Sequence, residues 1–206
     1  YDASSEHDSC GIGFVVDIKG RPSHKIVEQG LTVLKNLLHR GACGAEDDTG
    51  DGAGILLQIP DHFLREISPE HGIKLPKKGE YGTGIVFLPK NEKERAECKK
   101  ALEKIIVEEG QVLLGWRDIP VDNSMIGPSA QEAQPFFSQV FIQIGANTKD
   151  AKSFERKLYV VRKRTEHLIW DSDLEQKVFF YVPSLSSKTI VYKGMLIGDQ
   201  LQPMFA

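Results

Sequence analysis

Apolar residues alternate at Ile12, Phe14, Val16 and Ile18, the two-residue period of a half-buried strand, and Lys19-Gly20-Arg21-Pro22-Ser23 predicts a turn after it. Ser23 can cap a helix. Val27, Leu31, Leu34 and Leu38 then recur at helical spacing, which predicts one core-facing stripe running to His39-Arg40-Gly41 and puts Arg40 at a helix exit. A polar, glycine-rich loop, ACGAEDDTGDGAG, separates that helix from ILLQIP, which reads as a buried strand, and YGTGIVFLP reads as another. Residues 61–80 between them predict a short helical piece and a turn. Asn91 followed by Glu94 has the form of a capping box, and the helix it opens carries Ala101, Leu102, Ile105 and Ile106 on one side before Gly110 stops it. Cys98 falls in this helix as a small core residue.

Strands are expected at 111–116, 136–144, 177–182 and 188–196, with an amphipathic helix over 150–169 and a polar loop over 121–135. The order is strand, helix, two strands, helix, two strands, helix, two strands. Paired strands between single helices point to hairpins in a layered α+β arrangement rather than a doubly wound parallel sheet.

The chain has 206 residues, 40% of them hydrophobic, enough for one core of a soluble globular domain. Its net charge of −3 supplies no general field for a phosphate backbone. The one dense basic run, Arg162-Lys163-Arg164, lies inside a predicted helix and reads as a solvated face, not a nucleic-acid patch. No run approaches the length of a membrane helix, and residues 1–9 lack the cationic start and apolar centre of a signal peptide. The expected location is the cytoplasm or an organelle interior such as a plastid. Cys10, Cys43 and Cys98 are scattered, with no Cys-x-x-Cys pair, which predicts a reducing compartment and at least one free thiol.

Asp47-Asp48-Thr49-Gly50-Asp51-Gly52 invites a calcium reading, but Thr49 stands at the third position and Gln58 at the twelfth, where a bidentate glutamate belongs. No metal site is expected. Gly50, Gly52 and Gly54 precede a strand, whereas a dinucleotide loop follows one, so close backbone approach explains them better. Cys10 is the sharper candidate. A buried structural thiol is the ordinary reading of a lone cysteine, yet this one heads a strand-like run with glycines at 11 and 13 that let another group come close. A free thiol titrates near 8.5 and a free α-amine near 7.7–8.0, less than about one unit apart, so a cysteine that is also the first residue carries its own base. While residues 1–9 remain attached that nitrogen is an amide. They therefore read as a short propeptide-like leader, cut between Ser9 and Cys10.

Three strings, DSCGIGFVVD, HRGACGAEDDTGDGAGILLQIP and YVPSLSSKTIVYKGMLIGDQL, closely resemble the N-terminal glutamine amidotransferase domain of glutamate synthase large subunits. The resemblance implies an N-terminal-nucleophile hydrolase fold, a four-layer αββα sandwich, with residues 10–206 forming the N-terminal part of the domain. Position by position, it makes Cys10 the nucleophile, Arg40 the residue that holds the α-carboxylate of L-glutamine, and Gly41 its neighbour in that pocket. Without the resemblance, Arg40 reads as a cation complementing a helix C-terminus. Thr49, Gly50, Asp51 and Gly52 are expected to shape the same cleft. The resemblance also implies a synthase domain or subunit as partner, one that uses FMN, an iron–sulfur cluster and NAD(P)H or ferredoxin, with no cofactor bound by this chain.

Some of the family's segments do not occur here. Asn36, Asn91, Asn123 and Asn147 are each followed by a residue other than glycine, so the Asn-Gly oxyanion pair is absent, and no arginine follows Arg164. The chain is thus expected to be the first half of such a domain and inactive alone. A non-catalytic docking or regulatory domain that keeps its leader is the rival reading, and an amidase acting on other amides is a third.

Overall fold

The computed structural model describes residues 11–41 and 46–205. In chain order these form α1 (His24–Asn36), β1 (Ala53–Gln58), α2 (Asp61–Ile67), β2 (Tyr81–Leu88), α3 (Glu92–Glu108), β3 (Val112–Asp118), α4 (Pro128–Ala133), β4 (Phe136–Gln143), α5 (Ala151–Trp170), β5 (Thr189–Gly194) and α6 (Leu201–Met204). Among the described residues no helix is long and apolar enough to cross a membrane. The described residues divide into two compact units, one of 11–41, 46–55, 121–134 and 192–205, the other of 56–120 and 135–191.

The second unit is built on an antiparallel sheet ordered β2-β4-β3. Alternation along β4 sends Val140 and Ile142 into one core and Phe141 into another. The first core takes Cys98, Leu102, Ile105 and Ile106 of α3 and Phe154, Leu158 and Val161 of α5. The second takes Leu64 of α2, with Ile73 and Tyr81. Gly82 lies where α5 crosses β2, and a side chain there would overlap Leu158. The sheet is thus covered on both faces, in the mixed α+β class that alternation and helix spacing predict.

Caps explain where the long helices begin. Ser23 accepts from Lys25 N at 3.2 Å, and Asn91 accepts from Lys93 N at 3.0 Å and Glu94 N at 3.2 Å. The return arm of the predicted capping box is rerouted. Glu94 accepts from Gln176 N at 2.8 Å, while Gln176 Oε1 covers Asn91 N at 2.9 Å. A residue more than eighty positions away thereby fixes the start of α3. The basic run meets acids on its own helix and at the C-terminal end of α3: Lys163 pairs with Glu166 at 2.6 Å, and Arg164 with Glu108 at 2.5 Å and with the capping Glu109 at 2.6 Å.

Four expectations need correction. Residues 11–18 form no strand: their backbone has no strand neighbour among the described residues, and Ile12, Phe14, Val16 and Ile18 are 94, 88, 66 and 99% exposed. Alternation gives a segment one apolar face, but a strand also needs a hydrogen-bonded neighbour. Residues 177–182 are not a strand either; Lys177–Phe179 is a 3-10 turn and Tyr181 alone bridges Phe87. Pro183 removes the donor that would extend that pairing. β1 is half-buried and pairs with β5, not with β2. Within the loop expected at 121–135, Pro128–Ala133 is helical.

Candidate active site

Cys10 and Cys43 lie outside the described residues. Gly11, the next residue after Cys10, is seated on the end of the first helical segment. A methyl group placed on it would stand 3.0 Å from Leu37 Cδ2 and 3.2 Å from Arg40 Cβ. One placed on Gly13 would overlap Val33. These glycines leave no side chain between the segment that follows Cys10 and the helix that leads to Arg40. Close approach of backbone to helix requires that.

α1 stops at Asn36, and a single 3-10 turn, Leu38–Arg40, carries the chain outward. Arg40 N donates to Leu37 O at 2.8 Å and Gly41 N to Leu38 O at 3.1 Å, after which Gly41 is extended. Arg40 is exposed, and among the described residues its guanidinium makes no hydrogen bond or ion pair. The basic residue in the last turn of α1 itself is Lys35. Leu38, the last member of the predicted stripe, sits in the 3-10 turn and is 44% exposed.

The acidic glycine-rich loop returns to this place. A methyl group on Gly41 would lie 3.9 Å from Asp51 Oδ1. Thr49 and Gly50 are buried, and a side chain on Gly50 would fall on the Leu196 carbonyl, which accounts for a glycine there. Gly11 thus lies by Arg40 and Asp51 by Gly41, while Gly50 and Gly52 face Leu196 and Gly194 instead.

Two residues that the sequence reading passed over hold the loop. The Glu46 carboxylate accepts from Thr49 Oγ1 at 2.7 Å, Ser129 Oγ at 2.7 Å and Ser129 N at 3.2 Å. Those donors, the Thr49 hydroxyl first, keep its pKa below the usual carboxylate range. Gln200, 2% exposed, donates to Asp48 O at 2.9 Å and Met125 O at 2.7 Å, and accepts from Ile197 N at 2.9 Å. Glu46 was hidden among Asp47, Asp48 and Asp51, and Gln200 had no local pattern at all; only the fold joins residues 48, 125 and 200.

Cys98, the described thiol, is fully buried in α3 and cannot serve this site. Burial first, then Glu94 and Glu97, pushes its pKa up to about 12.

Residues 10–206 match the family of class-II glutamine amidotransferases. The chain belongs to this family. Among its relatives, it is 48% identical over its whole length to the glutamate synthase [NADPH] large chain of Bacillus subtilis (strain 168), covering 13% of that protein. It is 40% identical over its whole length to glutamate synthase [NADH] of Schizosaccharomyces pombe, covering 10%. Over 97% of this amidotransferase chain, identity to the chloroplastic ferredoxin-dependent glutamate synthase 2 of Arabidopsis thaliana is 38%, covering 12% of that protein. The chain thus spans about an eighth to a tenth of the relatives it matches.

Proposed function

We propose that this class-II amidotransferase chain is the glutaminase portion of a glutamate synthase, releasing ammonia from L-glutamine for a synthase domain that makes glutamate from 2-oxoglutarate. The observation that carries the reading is the seating of Gly11 against Arg40: it sets the residue after Cys10 beside a cation that has no partner among the described residues. An arginine fork matches both oxygens of an α-carboxylate. Lys35, not Arg40, is the basic residue in the last turn of α1, so complementing the dipole of that helix explains Arg40 poorly.

On this reading, removal of residues 1–9 frees the α-amine of Cys10. That amine takes the thiol proton, and the thiolate adds to the side-chain amide carbon of glutamine. The protonated amine returns the proton to the leaving nitrogen and ammonia departs, leaving a γ-glutamyl thioester. The amine then draws a proton from water, the hydroxide displaces sulfur, and glutamate and the thiol are restored. Gly41 leaves room for the substrate's α-carbon end beside Arg40. The flavin, iron–sulfur cluster and nicotinamide or ferredoxin supply redox chemistry in the synthase portion. Cys98, enclosed in α3, has no open side to offer an iron. The working compartment is the cytoplasm or an organelle such as a plastid, as the chloroplastic relative suggests.

Substitution in the complete enzyme tests the assignment. Cys10→Ala abolishes glutamine-dependent glutamate synthesis and leaves ammonia-dependent synthesis measurable, because only the first half-reaction uses the thiol. Arg40→Lys raises the apparent KM for glutamine, since a point charge replaces a two-pronged donor. Equal loss with both nitrogen sources for Cys10→Ala favours the docking reading instead.

A further inference from the structure

We propose that Glu46 and Gln200 are positioning residues for glutamine use, holding the 46–52 loop so that Asp51 stands against Gly41 beside Arg40. The inference rests on the glutaminase reading of the same site. Its support is the completeness of the two anchors. Glu46 gathers three donors from Thr49 and Ser129, and Gly127 N donates to Asp48 O at 3.0 Å between them. A side chain on Gly127 would overlap Thr49 Oγ1 and Glu46 Oε2, so the loop lies directly on that glycine. Gln200 spends both amide hydrogens and its oxygen on three segments, at Asp48, Met125 and Ile197.

The two anchors grip residues 46–49, and the chain reaches Asp51 two residues later. Asp51 is exposed, and among the described residues its carboxylate carries no ion pair of its own. Its place beside Gly41 is therefore set from behind, by Glu46 and Gln200. Loosening either anchor lets Asp51 and its neighbours drift from Gly41 and across the exposed Arg40, and the loss falls on substrate fit before it falls on folding. Carboxylate geometry makes a specific demand as well. A glutamine at position 46 can still accept from Thr49 and Ser129 N through one oxygen and donate to Ser129 Oγ, which an alanine cannot.

The experiment uses the complete enzyme, with glutamine-dependent and ammonia-dependent synthesis measured side by side and Cys10→Ala as reference. Glu46→Ala and Gln200→Ala are expected to raise the apparent KM for glutamine about tenfold, the scale of one lost hydrogen bond, while ammonia-dependent turnover stays at the parent value. Glu46→Gln restores most of the affinity. A parental glutamine KM in both alanine variants overturns the proposal, provided Cys10→Ala still abolishes glutamine use; if Cys10→Ala does not, the underlying reading fails instead. Should an alanine variant lose both activities through misfolding, Ser129→Ala decides. It removes one donor to Glu46 without emptying a buried position; a raised KM with ammonia turnover intact supports positioning, and a parental KM overturns it.

Discussion

At the scale of single residues, burial decides what Cys98 can do. Cys98 is enclosed by α3 and the sheet, and its thiol, pushed up to about 12, has almost no thiolate near neutral pH. Iodoacetamide at pH 8 is expected to leave Cys98 unmodified in the native protein and to label it once the protein is unfolded, as peptide mapping would show. Stoichiometric native labelling of Cys98 would contradict its burial. The helical stripe put Arg40 at a helix exit, while its role with substrate came from the family resemblance alone; Cys10 stood out because glycines follow it, and it lies outside the described residues. Glu46 and Gln200 were not legible in the sequence. Their roles come from bonds between residues 83 and 152 positions apart, and no periodicity encodes such a distance.

At the scale of elements, long segments with a period and a cap were legible: α3 and α5 were expected within one or two residues of their observed ends. Alternation in residues 11–18 misled because it reports which face is apolar, not whether a neighbour supplies hydrogen bonds. Pairing order was equally hidden: β4 takes the centre of its sheet, with β2 and β3 on either side. The contact between the end of α3 and α5 is expected to depend on pH through Glu109, which accepts from Lys157 at 2.7 Å and Arg164 at 2.6 Å. The lysine and arginine hydrogen bonds hold its carboxyl below the usual range. A depressed folded pKa means that this stabilisation is present above the unfolded carboxylate value, near 4.5, and is lost as pH falls through the folded value. Because both cations are half exposed, Glu109→Gln is expected to cost about 1 kcal/mol or less at pH 7. The difference from the parent in chemical denaturation should shrink below pH 4.5; a difference that grows in acid would contradict the pairing. At the edge of β2, Gly84 meets the Ser184 carbonyl, and Gly84→Ala should destabilise by about 1–3 kcal/mol through overpacking. An unchanged melting temperature would show that the edge can shift.

At the scale of the whole molecule, the account makes the first unit the seat of chemistry, with Gly11, Arg40, Gly41 and the anchored loop all drawn from it. Family membership follows from the match over residues 10–206. The mechanism adds one demand that no fold similarity supplies: Cys10 must be both a nucleophile and a chain terminus. The most direct measurement treats the mature, active enzyme from its native source with a glutamine analogue bearing an electrophilic diazoketone in place of the side-chain amide, and maps the modified peptide by mass. The account predicts a single adduct on the sulfur of Cys10, in a peptide that begins at Cys10 with a free α-amine. An adduct on another residue, or fully active enzyme that retains residues 1–9, would contradict it.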